Sequence, residues 1–150
     1  MASLCTRHIL TYLPQENVNG FWYFSELALT TLVTPGITAQ EYHQRRAKLA
    51  ASLPENAIAI LPSADLKYRS GAVFYEFHQE SDFLYLTGFN EPEAVAVIQK
   101  IGKADDYIFH LFLRQKDAAA EQWEGARSGE QAALDVFNAD KVRRLFAYNN

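Results

Sequence analysis

The chain has 150 residues, with 14 Lys plus Arg against 18 Asp plus Glu, a formal charge of −4. Apolar residues at 49% and charged residues at 21% are the proportions of a folded globular domain and exclude wholesale disorder. The length fits one domain with a sizeable core and is tight for a two-domain enzyme. Residues 1–34 show no clean period. Polar turn residues Pro14, Asn17, Asn19 and Gly20 precede an aromatic cluster, Phe21 to Phe24. The segment reads as a loosely packed arm or as a strand that docks. Its most apolar part, Phe21 to Val33, is interrupted by Ser25, Glu26, Thr30 and Thr31. That falls short of the roughly 18 apolar residues a span needs, so no membrane partner is expected. Arg7 alone makes a poor positive region, and no clear targeting signal stands in residues 1–33. A single cysteine, Cys5, excludes an internal disulfide and a Cys-rich zinc site.

Order begins at Pro35-Gly36. Thr38 followed by Glu41 spells a capping box, which satisfies two backbone donors at a helix start. Tyr42, Leu49, Ala50 and Leu53 then fall on one helical stripe, and Glu41 and Arg45 are spaced for an i, i+4 pair. His43 is placed on the exposed side. The helix stops near Leu53, because Pro54 disfavours a helical residue before it. Continuous apolar runs at 57–61, 94–98 and 107–113 predict strands covered on both faces. The short segment 102–106 makes the last two an antiparallel hairpin. Asp82 is placed as the cap of a turn over Phe83 to Thr87. Towards the end, Ala118 to Trp123 is rich in helix formers. A second helix starts at Ser128 or Gly129 and runs through Phe137. A third is expected over Asp140 to Tyr148, with Val142, Leu145 and Phe146 on one side. The fold class is α/β, a mixed sheet with helices. The basic runs Arg45, Arg46, Lys48 and Lys141, Arg143, Arg144 read as solvated helix faces. With the acidic net charge, they speak against a nucleic-acid partner.

The chemistry-bearing residues assemble no catalytic constellation. The histidines His8, His43, His78 and His110 form no HExxH pair or other ligand spacing. His110 sits in an apolar strand and reads as a hydrogen-bonded core residue. His78, amid Phe74-Tyr75-Glu76-Phe77, is the best functional candidate. Glu76, Glu80, Asp82, Glu91 and Glu93 flank turns. Ser63, Ser70 and Ser81 sit in no nucleophile elbow, and no phosphate-binding glycine pattern occurs.

One segment is far more specific. Ser81-Asp82-Phe83-Leu84-Tyr85-Leu86-Thr87-Gly88-Phe89-Asn90-Glu91-Pro92-Glu93-Ala94-Val95 closely resembles the N-terminal domain of the Xaa-Pro aminopeptidase (aminopeptidase P) family. These are creatinase/prolidase-like metallopeptidases. Other landmarks agree in order: Thr34 to Ile37, Tyr42-x-x-Arg45-Arg46-x-x-Leu49, Ala57 to Ile60, Tyr68 to Gly71, Phe77-His78-Gln79, and Trp123-Glu124-Gly125-Ala126-Arg127-Ser128-Gly129. The likeness covers roughly residues 34–138 and is greatest to the eukaryotic mitochondrial branch. Residues 1–33 form a divergent arm, and 34–150 the family's N-terminal domain.

The resemblance implies a ribonuclease-H-like mixed sheet flanked by helices. It implies removal of an N-terminal residue, often one preceding proline, by a two-metal site that usually holds Mn²⁺. The family's metal ligands and catalytic histidines belong to a C-terminal pita-bread domain, and this chain stops at Asn150 before it. The resemblance therefore implies no catalytic residue, no metal ligand and no bound cofactor here. Peptide substrate is expected to engage the full enzyme through that other domain. What the resemblance leaves to this one is homo-oligomer contact and the shape of a substrate entrance. His78, Phe83, Leu84, Tyr85 and Phe89 are the candidates, with core packing as the alternative for Phe83, Tyr85 and Phe89. Trp123 is expected in the core, Gly125 at an unusual turn and Arg127 in an internal ion pair. The branch points to mitochondria, otherwise to the cytoplasm. Two rivals remain: a stand-alone interaction domain, and a small nuclease, which lacks carboxylates on the predicted strands.

Overall fold

A computed structural model describes residues 32–71, 73–102 and 104–145; Cys5, His8 and the Phe21 to Phe24 cluster lie outside them. In chain order the elements are β1 (Leu32–Thr34), β2 (Ile37–Thr38), α1 (Ala39–Ser52), β3 (Ile58–Pro62), β4 (Tyr68–Ser70) and β5 (Val73–Phe74). There follow α2 (Ser81–Thr87), β6 (Val95–Lys100), β7 (Tyr107–Leu113), α3 (Ala118–Glu124), α4 (Gly129–Asp135) and β8 (Lys141–Arg144). The main sheet runs β3-β6-β7-β8, antiparallel except for the parallel β7–β8 pair, and is therefore mixed as expected. The first two strands begin one residue later than 57–61 and 94–98, and the second runs on to Lys100; the third is as predicted.

α1 begins as its sequence dictates. The Thr38 hydroxyl accepts the Glu41 N–H at 3.3 Å. The Glu41 carboxylate is paired with Arg45 one turn on, so only half of the capping box is seen. The far end is held by Lys100, which β6 carries into the core. Its ammonium donates to the Leu53 carbonyl at 2.6 Å, placing a cation at the helix C-terminus.

The strands alternate rather than being covered twice. Ala96 and Ile98 on β6 and Phe109, Leu111 and Leu113 on β7 are buried with Phe83, Leu86, Phe89 and Ala133. Their neighbours Val95, Val97, Ile108, His110 and Phe112 point the other way and are half-buried. The described helices that cover the sheet all pack on the first face. Both faces are apolar, which is why the sequence shows no alternation, but only one is covered among the described residues. His110 is corrected with them: it faces away from the core and meets Gln99 across the strands at 3.2 Å.

The helix expected from Asp140 is also corrected. Asn138 takes a left-handed φ of 51° and turns the chain out of α4. Asp140 then latches onto β7 twice: its carboxylate accepts the Phe109 N–H at 2.7 Å, and its own N–H donates to the Phe109 carbonyl at 2.9 Å. That register delivers Lys141–Arg144 to β7 as a parallel strand, with Val142 inward and Lys141 and Arg143 outward.

Two residues of α1 are likewise corrected. Arg46 is not solvated; it is 1% exposed. His43 is half-buried against the Tyr107 ring, 5.4 Å between centroids, rather than on an open face. Burial holds the His43 imidazole below its usual pKa, with the Arg46 charge adding to the effect. The native state thus favours neutral His43. Its contribution is fully present above the unfolded value of 6.5 and is lost as pH falls from there towards the depressed native value. Urea midpoints are expected to fall between about pH 7.5 and 5.5, and His43→Gln is expected to flatten that slope. An unchanged slope in the variant would assign the pH dependence to other groups.

Candidate functional site

Motif residues converge on one edge of the domain, where four segments meet. Gln79, at the end of Phe77-His78-Gln79, is the fastener. Its carbonyl oxygen accepts the N–H groups of Ala64 at 2.8 Å and Glu80 at 2.9 Å. Its amide donates to the carbonyls of Phe89 at 3.2 Å and Glu91 at 2.8 Å. Two donors and two lone pairs are all used, which ties the segment after β3 to both ends of α2. Glu91 extends the tie: its carboxylate accepts the Ser128 N–H at 2.8 Å and the Ser128 hydroxyl, anchoring the start of α4.

α2 is capped by Glu80, not by Asp82 as expected. The Glu80 carboxylate accepts the Phe83 N–H at 2.8 Å, while Asp82 lies exposed in the first turn. At the other end two consecutive arginines of α1 reach the terminal carbonyls. Arg45 donates to Tyr85 at 3.0 Å and Arg46 to Leu86 at 3.1 Å. Guanidinium donors at unpaired C-terminal carbonyls satisfy the helix end and its dipole together.

This frame decides where each candidate stands. Phe83 and Phe89 are in the core; Phe89 meets Phe83 and Phe137 edge-on, at 6.4 and 5.0 Å. Leu84 is half-buried and His78 is exposed in the segment before α2. Tyr85 is 55% exposed, its ring held under the Arg45 guanidinium at 4.3 Å.

A groove of about 220 Å³ opens between the β4–β5 hairpin and the chain that follows α2. Leu66, Tyr68, Phe74 and Phe77 line it together with Glu91, Pro92, Arg114 and Glu124. The β4–β5 hairpin that supplies Tyr68 and Phe74 had no counterpart among the predicted elements. Glu124 accepts from Arg127 at 2.8 Å and from Arg114 at 2.9 Å. The Arg127 hydrogen bond leads in holding the Glu124 carboxyl below its usual pKa; burial opposes it and Arg114 assists. Arg127 thus has an ion pair, but at the surface with exposed Glu124 rather than in the interior as expected. Gly125, at φ 95°, makes the expected turn. Trp123 is corrected: it is 82% exposed, because α3 buries no residue and is anchored by the Asp117 cap and the Glu124 ion pairs instead.

Among the described residues, no three His, Cys, Asp or Glu side chains gather where a metal ion could be held. No described helix is long and apolar enough to cross a membrane.

Residues 42–150 match the family profile described as "Aminopeptidase P, N-terminal domain". Intermediate cleaving peptidase 55 of Saccharomyces cerevisiae is 48% identical over 110 residues, which is 73% of this chain and 22% of that protein. "Intermediate cleaving peptidase 55, mitochondrial" of Arabidopsis thaliana is 42% identical over 110 residues, 73% of this chain and 21% of that one. The chain spans about a fifth of the length of these relatives. The crystal structure of Icp55 from Saccharomyces cerevisiae, lacking its N-terminal 58 residues, superposes with a TM-score of 0.68 at 42% identity. That superposition covers 75% of this chain and 26% of the other, and the mixed sheet with its helices is common to both.

Proposed function

The chain belongs to the aminopeptidase P family through its N-terminal domain, and from that premise we propose that it is the non-catalytic, supporting part of a manganese-dependent aminopeptidase. In this reading the full enzyme removes N-terminal residues of the Xaa-Pro type. This domain holds subunits together and shapes the peptide's way in. The observation that carries the reading is the arrangement of the motif residues. Gln79, Glu91, Arg45, Arg46 and Arg127 spend their polar groups on fastening the domain rather than on a reaction centre. Contact with a neighbouring subunit falls to Tyr85, Leu84 and His78, since Phe83 and Phe89 are buried. The plant relative's name supports a mitochondrial address.

The purified chain with Mn²⁺ and an Xaa-Pro peptide is expected to release no N-terminal residue. Metal-dependent release above a buffer control would overturn the proposal. A second reading, a stand-alone interaction domain without peptidase activity, draws on one observation. The sheet leaves an apolar face uncovered among the described residues, with Ile58 and Ile60 exposed.

A further inference from the structure

We draw no further inference here: the strongest candidate, the groove between the β4–β5 hairpin and the chain that follows α2, with the ion pair of Arg114 and Glu124 on its wall, belongs to the site already described, and nothing in the structure shows what covers it.

Discussion

Replacing Arg46 by alanine is expected to lower the unfolding free energy by about 3–5 kcal/mol, the range for truncating a large, fully packed side chain. The guanidinium lies 4.4 Å from the centre of the Phe109 ring. It donates to the Leu86 carbonyl at 3.1 Å and to the Tyr107 hydroxyl at 3.2 Å. Among the described residues no carboxylate forms an ion pair with it. The charge is therefore kept in the interior by a helix-end carbonyl, a phenol and aromatic faces. Alanine leaves a cavity beneath α1 and strips the last turn of α2 of a donor. Arg46→Met separates the two losses. It refills the volume and removes the burial cost of the charge, leaving an unmet carbonyl, for an expected loss of about 1–3 kcal/mol. Denaturant titration of the three proteins checks this. A loss under about 1 kcal/mol for alanine would show that Arg46 does not bridge α1, α2 and the sheet in solution.

The second large effect is at Gly88, where Gly88→Ala is expected to cost about 2–5 kcal/mol. Gly88 ends α2 at φ 70°, a conformation that costs an L side chain about 1–2 kcal/mol. A Cβ built there would lie 2.8 Å from two ring atoms of Tyr42 and 2.9 Å from Val33 Cγ1. The Tyr42 ring has little room to retreat. The Tyr42 hydroxyl is bonded to the Thr34 hydroxyl at 2.8 Å, and Tyr42 is buried in the α1 interface. Overpacking of that kind adds about 1–3 kcal/mol. The chain after Gly88 carries Phe89 into the core and Glu91 towards Ser128, so the variant should also perturb NMR signals of α4. Gly102 is a fitting control, since it has a positive φ of 71° and open space at its Cβ position. Gly102→Ala should cost only the conformational part. Equal losses at both positions would contradict a close approach at Gly88.

These two residues also mark how far the sequence could be read. The spacing of Tyr42, Arg46 and Ala50 places Arg46 on the same helical stripe as its apolar neighbours. Charge alone argued for solvent, and the tertiary partners that make its burial tolerable belong to α2 and β7, forty and more residues away. Gly88 follows the predicted turn over Phe83 to Thr87, but no spacing rule announces the Tyr42 ring against it. Trp123 shows the converse. Its size argued for the core, and only the absence of any buried residue in α3 leaves it outside. Gln79 and Glu91 were visible as parts of motifs, yet their hydrogen bonds run to backbone groups that no spacing rule pairs with them.

Local physics determined what is local: the Thr38 cap, the Glu41–Arg45 pair, the stop before Pro54, the 107–113 strand and the hairpin before it. The family was legible separately, by the resemblance of a run of residues from Ser81 to Val95, and the family profile matches residues 42–150. Tertiary structure alone decided which face of an apolar strand is covered, since both faces carry the same residue types and only the helices' placement breaks the tie. It alone decided that Lys141–Arg144 is a strand, because Asp140 bonds Phe109 from across the crossover and overrides a segment whose apolar spacing suited a helix. And it alone sorted Phe83 and Phe89 from Tyr85: α2 buries Phe83 and leaves Tyr85 exposed, and the turn at Gly88 carries Phe89 into the core.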